Sequence, residues 1–589
     1  MDEEWKTIRF RYFALTLLIL AVSTLTACAQ KPPVIAADLF FENGVIYTAD
    51  ALDTVAEVLA VKDGVIIFVG SADEGKPYRD GAAEIVDLRG GNLLPGLIDG
   101  HIHTITPEFY DFVHFADTSA QQILMTVAEY IASNPNQDTY YGFGFNVGVF
   151  EGDEAVKGPR KERLDEICGN KPIIILAMDG HTVWLNSKGF EHFGITADTP
   201  APPGGEIVKD EAGGIWGTIF NSAISLVSDP QLSESRLSEV LLNYQAMLNS
   251  LGYTSIMTIP AEGYINVPWE GYSRLEQDGL LTLRVRGAGI LRHWNFEEDF
   301  EQTKVLREKY NSSLVKLTAV KIFTDGIIGN KTAYLMEPYS GSEDFYGTAA
   351  WKQDDLNHAY KTANSEGYQV HNHVIGDAAV RMALDAAEYA RGFSAGIDCR
   401  NVLTHILLVH EVDVPRFADL NVIPVVQPYW HFKQPGAWEP IEYPALGIRA
   451  EKEWPSKSFI ENGATLVFSS DYPATTVPLP FVAIETAVTR NLPDGPLYSV
   501  PNDITDINDP GHLLWPEERL DIKDAIRAFT INAAYSIFAD DVTGSLEVGK
   551  SADLIVTNQD LLSVDPLKIS DTLVLRTYFN GKLVHLMTE

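Results

Sequence analysis

The chain is poor in cysteine and in positive charge. Three cysteines in 589 residues are too few for a disulfide framework. Lysine and arginine number 44 against 81 aspartates and glutamates, a formal net charge of −37 at pH 7. Binding to nucleic acid needs a cationic surface, so nucleic acid is excluded as a partner. Internal repeats, heptad runs and low-complexity tracts are lacking, which argues against solenoids and coiled coils. What is present is ordinary globular composition, with 46% hydrophobic and 21% charged residues, which excludes wholesale disorder. The length suits several domains or one large barrel with additions.

The N-terminus reads as an address. Lys6, Arg9 and Arg11 form a basic segment diluted by Asp2, Glu3 and Glu4. The apolar run Phe13–Val22 is short for a membrane-spanning helix and suits the core of a signal peptide. It ends in Leu25-Thr26-Ala27-Cys28, which resembles the bacterial lipoprotein signal. That resemblance implies cleavage before Cys28 and lipidation of its thiol. The expected location is the cell envelope, facing the periplasm, and Ala29 favours the outer membrane. The N-terminal lipid is then the protein's one membrane contact, and removal of 1–27 leaves the net charge unchanged. Cys168 and Cys399 remain, either paired in an oxidising periplasm or, the simpler expectation, as two separate thiols.

Behind a linker at 28–37, residues 38–93 read as short strands, with Asp63-Gly64 as a hairpin turn. From 94 to 535, apolar runs alternate with helical stretches. The runs include Pro172–Met178, Thr254–Ile259, Leu281–Arg286, Val315–Phe323, Tyr368–His373, Val402–Leu408, Val422–Gln427 and Thr465–Ser469. Such alternation predicts a parallel α/β architecture, a distorted (β/α)8 barrel with insertions. Residues 536–589 return to short strands, with a turn at Asn580-Gly581, so a small β-sandwich built from both chain ends is expected to flank the barrel.

The histidines are placed unusually. His101 and His103 are two apart at the end of the first expected barrel strand, so both face one side and can converge on one ion. Lys321 shares the apolar face Val315, Leu317, Ala319 and Phe323 of another strand, a costly place for an ammonium. Two readings fit it: a lysine at a strand end pairing with Asp325, or a deprotonated amine that has added carbon dioxide to become an anionic, two-oxygen metal ligand. His371, His373, His405 and Asp471 stand at later strand ends. Imidazole and carboxylate donors of this kind suit zinc or a similar divalent ion.

These segments together resemble the amidohydrolase superfamily, and within it the branch called amidohydrolase family three, which includes N-substituted formamide deformylases. The resemblance runs from about Asp38 to the C-terminus. It is carried by 94–103 (Leu-Pro-Gly-Leu-Ile-Asp-Gly-His-Ile-His), 320–326 (Val-Lys-Ile-Phe-Thr-Asp-Gly), 373–379 (His-Val-Ile-Gly-Asp-Ala-Ala), Ser470-Asp471 and 548–554 (Val-Gly-Lys-Ser-Ala-Asp-Leu). It implies metal ligands at His101, His103, Lys321 as carbamate, His373, His405 and Asp471, and two zinc ions per subunit; the other form within the family is mononuclear, with Lys321 uncarbamylated. It also implies that Asp471 moves the catalytic proton, and that His181 is catalytic and grips the substrate carbonyl, with Asn186 of the same Asp-x-His…Asn-Ser stretch also binding substrate. His371 is expected behind the ligands. Two departures are visible: Thr404 stands where an acidic residue commonly precedes the histidine, and Ile327-Ile328 replace smaller residues.

The implied activity is hydrolysis of a non-peptide C–N bond in a small amide or formamide-like molecule. The other reading is a non-catalytic envelope lipoprotein that binds or senses a ligand on the same scaffold. Phe143, Phe145, Trp430, Trp438 and Trp454 either line an apolar cavity near the site or pack as ordinary core.

Overall fold

The computed structural model describes residues 34–104, 110–113, 117–178, 180–227, 232–260, 267–501 and 504–588. The expected signal peptide and Cys28 lie outside these residues.

Eight parallel strands form the centre: β1 (Leu97–Ile102), β2 (Tyr253–Thr258), β3 (Arg284–Ile290), β4 (Val315–Phe323), β5 (Gln369–Val374), β6 (Val402–His405), β7 (Ile423–Val426) and β8 (Val467–Phe468). They are hydrogen-bonded in chain order from β1 to β8. At the seam, the Asp471 amide donates to the His101 carbonyl and the His103 amide to the Tyr472 carbonyl, both at 2.9 Å. Gly100 makes this approach possible, because a Cβ there would stand 2.6 Å from Val467 Cγ1 and 3.1 Å from the Phe468 carbonyl oxygen. The result is a nearly closed (β/α)8 barrel, distorted at the β8–β1 seam.

The barrel interior is filled at one end by Ile98, Met257, Ala288, Ala319, Val402, Ile423 and Val467. Ala533, Ala534 and Ile537, from and just beyond the helix Ile531–Ser536, complete that cluster. Outer helices such as Gln353–Ser365 and Asp377–Arg391 turn their apolar stripes to the barrel; in the latter, Ala379, Val380, Ala383, Leu384 and Ala387 are buried at helical spacing. At the other end of the strands the buried side chains are polar, among them His101, Lys321, His373 and His405.

One expectation changes. The run at 172–178 is not a barrel strand. Ile173–Ala177 belongs to a six-stranded sheet, inserted between β1 and β2, with Phe112–Val113, Tyr140–Phe145, Thr182–Leu185, Glu206–Lys209 and Ile215–Phe220. Its continuous apolar pattern matches a barrel strand because both are buried on two faces, so periodicity alone does not distinguish them. Phe143 and Phe145 lie in the core of this inserted sheet.

The two chain ends pair in a six-stranded sheet, beside a four-stranded sheet drawn from residues 37–87 alone. Leu554–Thr557 runs antiparallel to Asn92–Pro95, and Leu39, Phe41, Ile46, Leu93, Leu554 and Tyr578 share one apolar cluster across the two sheets. Asp63-Gly64 and Asn580-Gly581 both turn antiparallel pairs, as their sequences predict. Cys168 and Cys399 are free thiols.

Candidate metal centre

Parallel strands deliver their C-terminal ends to one rim of a barrel, and the candidate ligands converge there. Nε2 of His101 and Nε2 of His103 each lie 3.1 Å from Asp471 Oδ1. The donor atoms of these three residues lie within 4.8 Å of one another. The ring centroid of His405 is 5.2 Å from that of His101 and 4.5 Å from that of His373. Lys321 is buried, its Nζ 4.5 Å from the Phe323 ring centroid, and its strand register sets it beside His371. At His405 and Asp471 the backbone turns through the left-handed region, with φ of 75° and 54°. Non-glycine residues there carry strain, and both turns occur where a strand must end and present a ligand.

Hydrogen bonding fixes the tautomers. His103 Nδ1 lies 2.8 Å from the Ile259 carbonyl oxygen, which can only accept, so Nδ1 carries the proton. That leaves Nε2 facing the Asp471 carboxylate, with a nitrogen and a carboxylate oxygen, both donor types for a divalent cation, 3.1 Å apart. His405 repeats the pattern: Nδ1 lies 3.0 Å from Gln427 Oε1, while Gln427 Nε2 donates to Ser469 Oγ at 2.7 Å and Thr404 Oγ1 at 3.3 Å. That leaves His405 Nε2 as the lone-pair nitrogen. His101 Nδ1 pairs with His371 Nε2 at 2.7 Å, placing His371 behind a ligand.

Electrostatics agree. Burial pushes His405 down to about 4, and burial with the Lys321 charge nearby takes His101 well below the ordinary imidazole range. Burial first, then His405 and Lys321, does the same to His373. Burial would raise Asp471, but His405, His101 and His103 hold it well below the usual carboxylate range. At neutral pH His101, His373 and His405 are neutral and Asp471 is ionised, the forms that bind divalent cations. The residues present fit such an ion.

The inserted sheet carries His181, which contributes to the field that depresses His373; its carbonyl accepts from the Asn221 amide at 2.9 Å. Asn186 is placed differently from expectation. Its Oδ1 accepts from Gly189 N at 2.7 Å and Ile173 N at 3.0 Å, and its Nδ2 donates to the Cys168 and Lys171 carbonyls at 2.8 Å each. Both amide donors and both lone pairs are used by backbone, so no capacity is left for substrate; Asn186 caps the helix Ser187–His192.

Several contributors escape sequence reasoning. Asp99 Oδ1 accepts from the His101 and Ser470 amides at 3.1 Å each, tying β1 to the end of β8. Burial pushes Asp99 up to about 7 against those bonds. Asp325 accepts from the Tyr334, Ile375 and Gly376 amides at 2.8–2.9 Å, so it organises the loops after β4 and β5. Trp430 stacks on His405 with 6.2 Å between centroids and 25° between planes. Asp99 and Asp325 sit inside quoted motifs, which is a signal; Gln427 and the Ile259 carbonyl give none.

The chain shares 27% identity with YtcJ of Bacillus subtilis over 556 residues, covering 92% of this chain and 99% of that protein. The N-substituted formamide deformylase of Arthrobacter pascens is 25% identical over 563 residues, covering 93% of this chain and 98% of that enzyme. In fold, the chain superposes on an uncharacterized metal-dependent hydrolase from Pyrococcus horikoshii OT3 with a TM-score of 0.67 at 23% identity, covering 90% and 99% of the two chains. Residues 84–585 match the Amidohydrolase family, most of the chain, and the protein belongs to that family.

Proposed function

We propose that the protein is a metal-dependent hydrolase that cleaves a non-peptide C–N bond, of amide or formamide type, in a small molecule. The observation that carries this is the convergence of His101 Nε2 and His103 Nε2 on Asp471 Oδ1, at 3.1 Å each. Full-length similarity to a formamide deformylase supports the bond class. His101, His103, Lys321 as carbamate, His373, His405 and Asp471 would hold two divalent ions, and the donor set favours zinc. When bound, the metal supplies Lewis acidity, polarising the scissile carbonyl and taking the pKa of water from about 15.7 toward about 7.

The protein's own groups do the rest. Asp471, ionised at neutral pH, takes a proton from the attacking water and returns it to the leaving nitrogen. His181 reaches over from the inserted sheet to hold the substrate carbonyl and the charge that develops on it. His371 and Gln427 keep His101 and His405 in register. The lipoprotein-like Leu25–Cys28 segment supports a cell-envelope location with an N-terminal lipid anchor.

Metal analysis coupled to a panel of formamides, acyl-amines and cyclic amides tests the reading. The expected result is turnover that is lost on chelation and restored by zinc. A metal-replete protein that hydrolyses nothing across the panel would instead favour a binding role.

A further inference from the structure

The loop that follows β7 contains a buried acid with no hydrogen-bond partner. Glu453 is wholly inaccessible, and neither of its carboxylate oxygens meets a donor. A buried carboxyl in that state is costly and calls for an occupant or a proton. Glu442, only half-buried, lies close enough to raise Glu453 further; burial pushes Glu442 itself to about 7.

The neighbouring cations hydrogen-bond elsewhere, although the charge of Arg490 still lowers Glu453 against its burial. Arg490 is fully buried, yet its guanidinium donates to the carbonyls of Leu514 at 3.0 Å, Trp454 at 3.3 Å and Glu453 at 2.9 Å, not to the Glu453 carboxylate. Lys433 pairs with Glu451 at 3.1 Å and lies over the Trp438 ring at 4.4 Å. Two further buried polar atoms of this region, His431 Nε2 and Trp454 Nε1, also have no partner, and their rings stack at 5.1 Å.

This region adjoins the metal centre. Trp430 stacks on His405, and the Trp454 amide donates at 3.0 Å to the carbonyl of Leu407, two residues beyond that ligand. Ile328, Leu407, Leu408, Trp438 and Trp454 form one apolar cluster, with Ile327 and Trp430 packed against it. Glu442 and Glu453 lie in the same stretch of chain as Trp438 and Trp454 of this cluster.

We propose that Glu453 and Glu442 form a recognition site for a cationic nitrogen, an ammonium or guanidinium carried by the substrate at the far end from its scissile bond. The proposal rests on the hydrolase reading above and narrows its substrate class. An organic cation satisfies the two unpartnered oxygens, and the aromatic wall tolerates its methylenes and favours its charge. The net charge of −37 draws the same class of molecule toward the protein. Of the two, Glu442 keeps some exposure to solvent and Glu453 keeps none.

The test uses metal-loaded full-length protein and pairs of formamides of equal chain length, one ending in an ammonium and one in a neutral group. The expected ratio of kcat/KM, charged over neutral, is at least about 10 for the parent, falling toward 1 in both Glu453→Gln and Glu442→Gln. An independent arm follows tryptophan fluorescence on titration with an alkylammonium chloride and with the alcohol of equal length. Ammonium binding that weakens about tenfold or more in Glu453→Gln supports the site even if no formamide is turned over, which separates its fate from that of the hydrolase reading. A parent ratio near 1, a ratio unchanged by both substitutions, or ammonium binding indifferent to Glu453 would each overturn it, leaving a proton shared between two structural carboxyls.

Discussion

Gln427 Oε1 lies 3.0 Å from Nδ1 of His405. The orientation of that amide is not free, because its nitrogen donates to Ser469 and Thr404. The hydroxyl of Thr404 thus accepts from Gln427, and the partner of His405 comes from the end of the next strand.

Replacing Gln427 by leucine removes the acceptor that fixes the His405 tautomer. Affinity for zinc is expected to fall 10- to 100-fold, measured by competition with a chromogenic chelator. The substitution Gln427→Glu keeps an acceptor and should recover most of the loss. Equal affinity in parent and leucine variant would remove Gln427 from the metal centre.

Asp471→Asn is expected to reduce turnover at least 10²-fold while most of the metal is retained, since the amide cannot take the proton. Steady-state kinetics with metal content measured on the same sample decides this. Full activity in the variant would end the assignment.

On the proposed carbamate, Lys321→Ala is expected to bind fewer ions than the parent, because the variant cannot form that anionic two-oxygen ligand. Metal stoichiometry by mass spectrometry reads the result, with bicarbonate-depleted parent as a second comparison. Two ions held as tightly as in the parent would exclude a carbamate there.

The buried histidines make the metal-free protein acid-sensitive. His405 falls from 6.5 to about 4 on folding because of burial. Above 6.5 both folded and unfolded chains hold it neutral; below 6.5 only the unfolded chain gains the proton, so stability is lost as pH falls. By about pH 5 this single group costs roughly 2 kcal/mol. The chelator-treated parent should therefore lose more unfolding free energy between pH 7 and 5 than His405→Asn does, measured by denaturant titration. Parallel pH dependences would contradict the burial argument, and saturating zinc should reduce the difference.

Asp553, in the Ser-Ala-Asp segment of the C-terminal motif, serves the fold. Its Oδ2 accepts from Arg284 of β3 at 2.8 Å, and its Oδ1 accepts from Asn580 N at 2.8 Å. Both side chains of the Arg284–Asp553 pair are buried, so Asp553→Ala strands a buried guanidinium and is expected to cost about 3–5 kcal/mol. Urea denaturation checks the loss, and metal content should be unchanged in the protein that remains folded.

The sequence by itself determined the barrel and the order in which its candidate ligands follow one another along the chain. It could do so because strand ends are local: His101 and His103 share a face by the two-residue period, and Lys321, His373 and His405 stand in the last residues of β4, β5 and β6. Tertiary structure decided what depends on contacts hundreds of residues apart. The pairing of His103 with both the Ile259 carbonyl and Asp471 fixes a tautomer that no local pattern encodes. The run at 172–178 went to an inserted sheet because burial on two faces looks the same in either setting. Asn186, beside His181 in one motif, was drawn into four backbone hydrogen bonds, since a buried helix start must satisfy its amides before any ligand can be served.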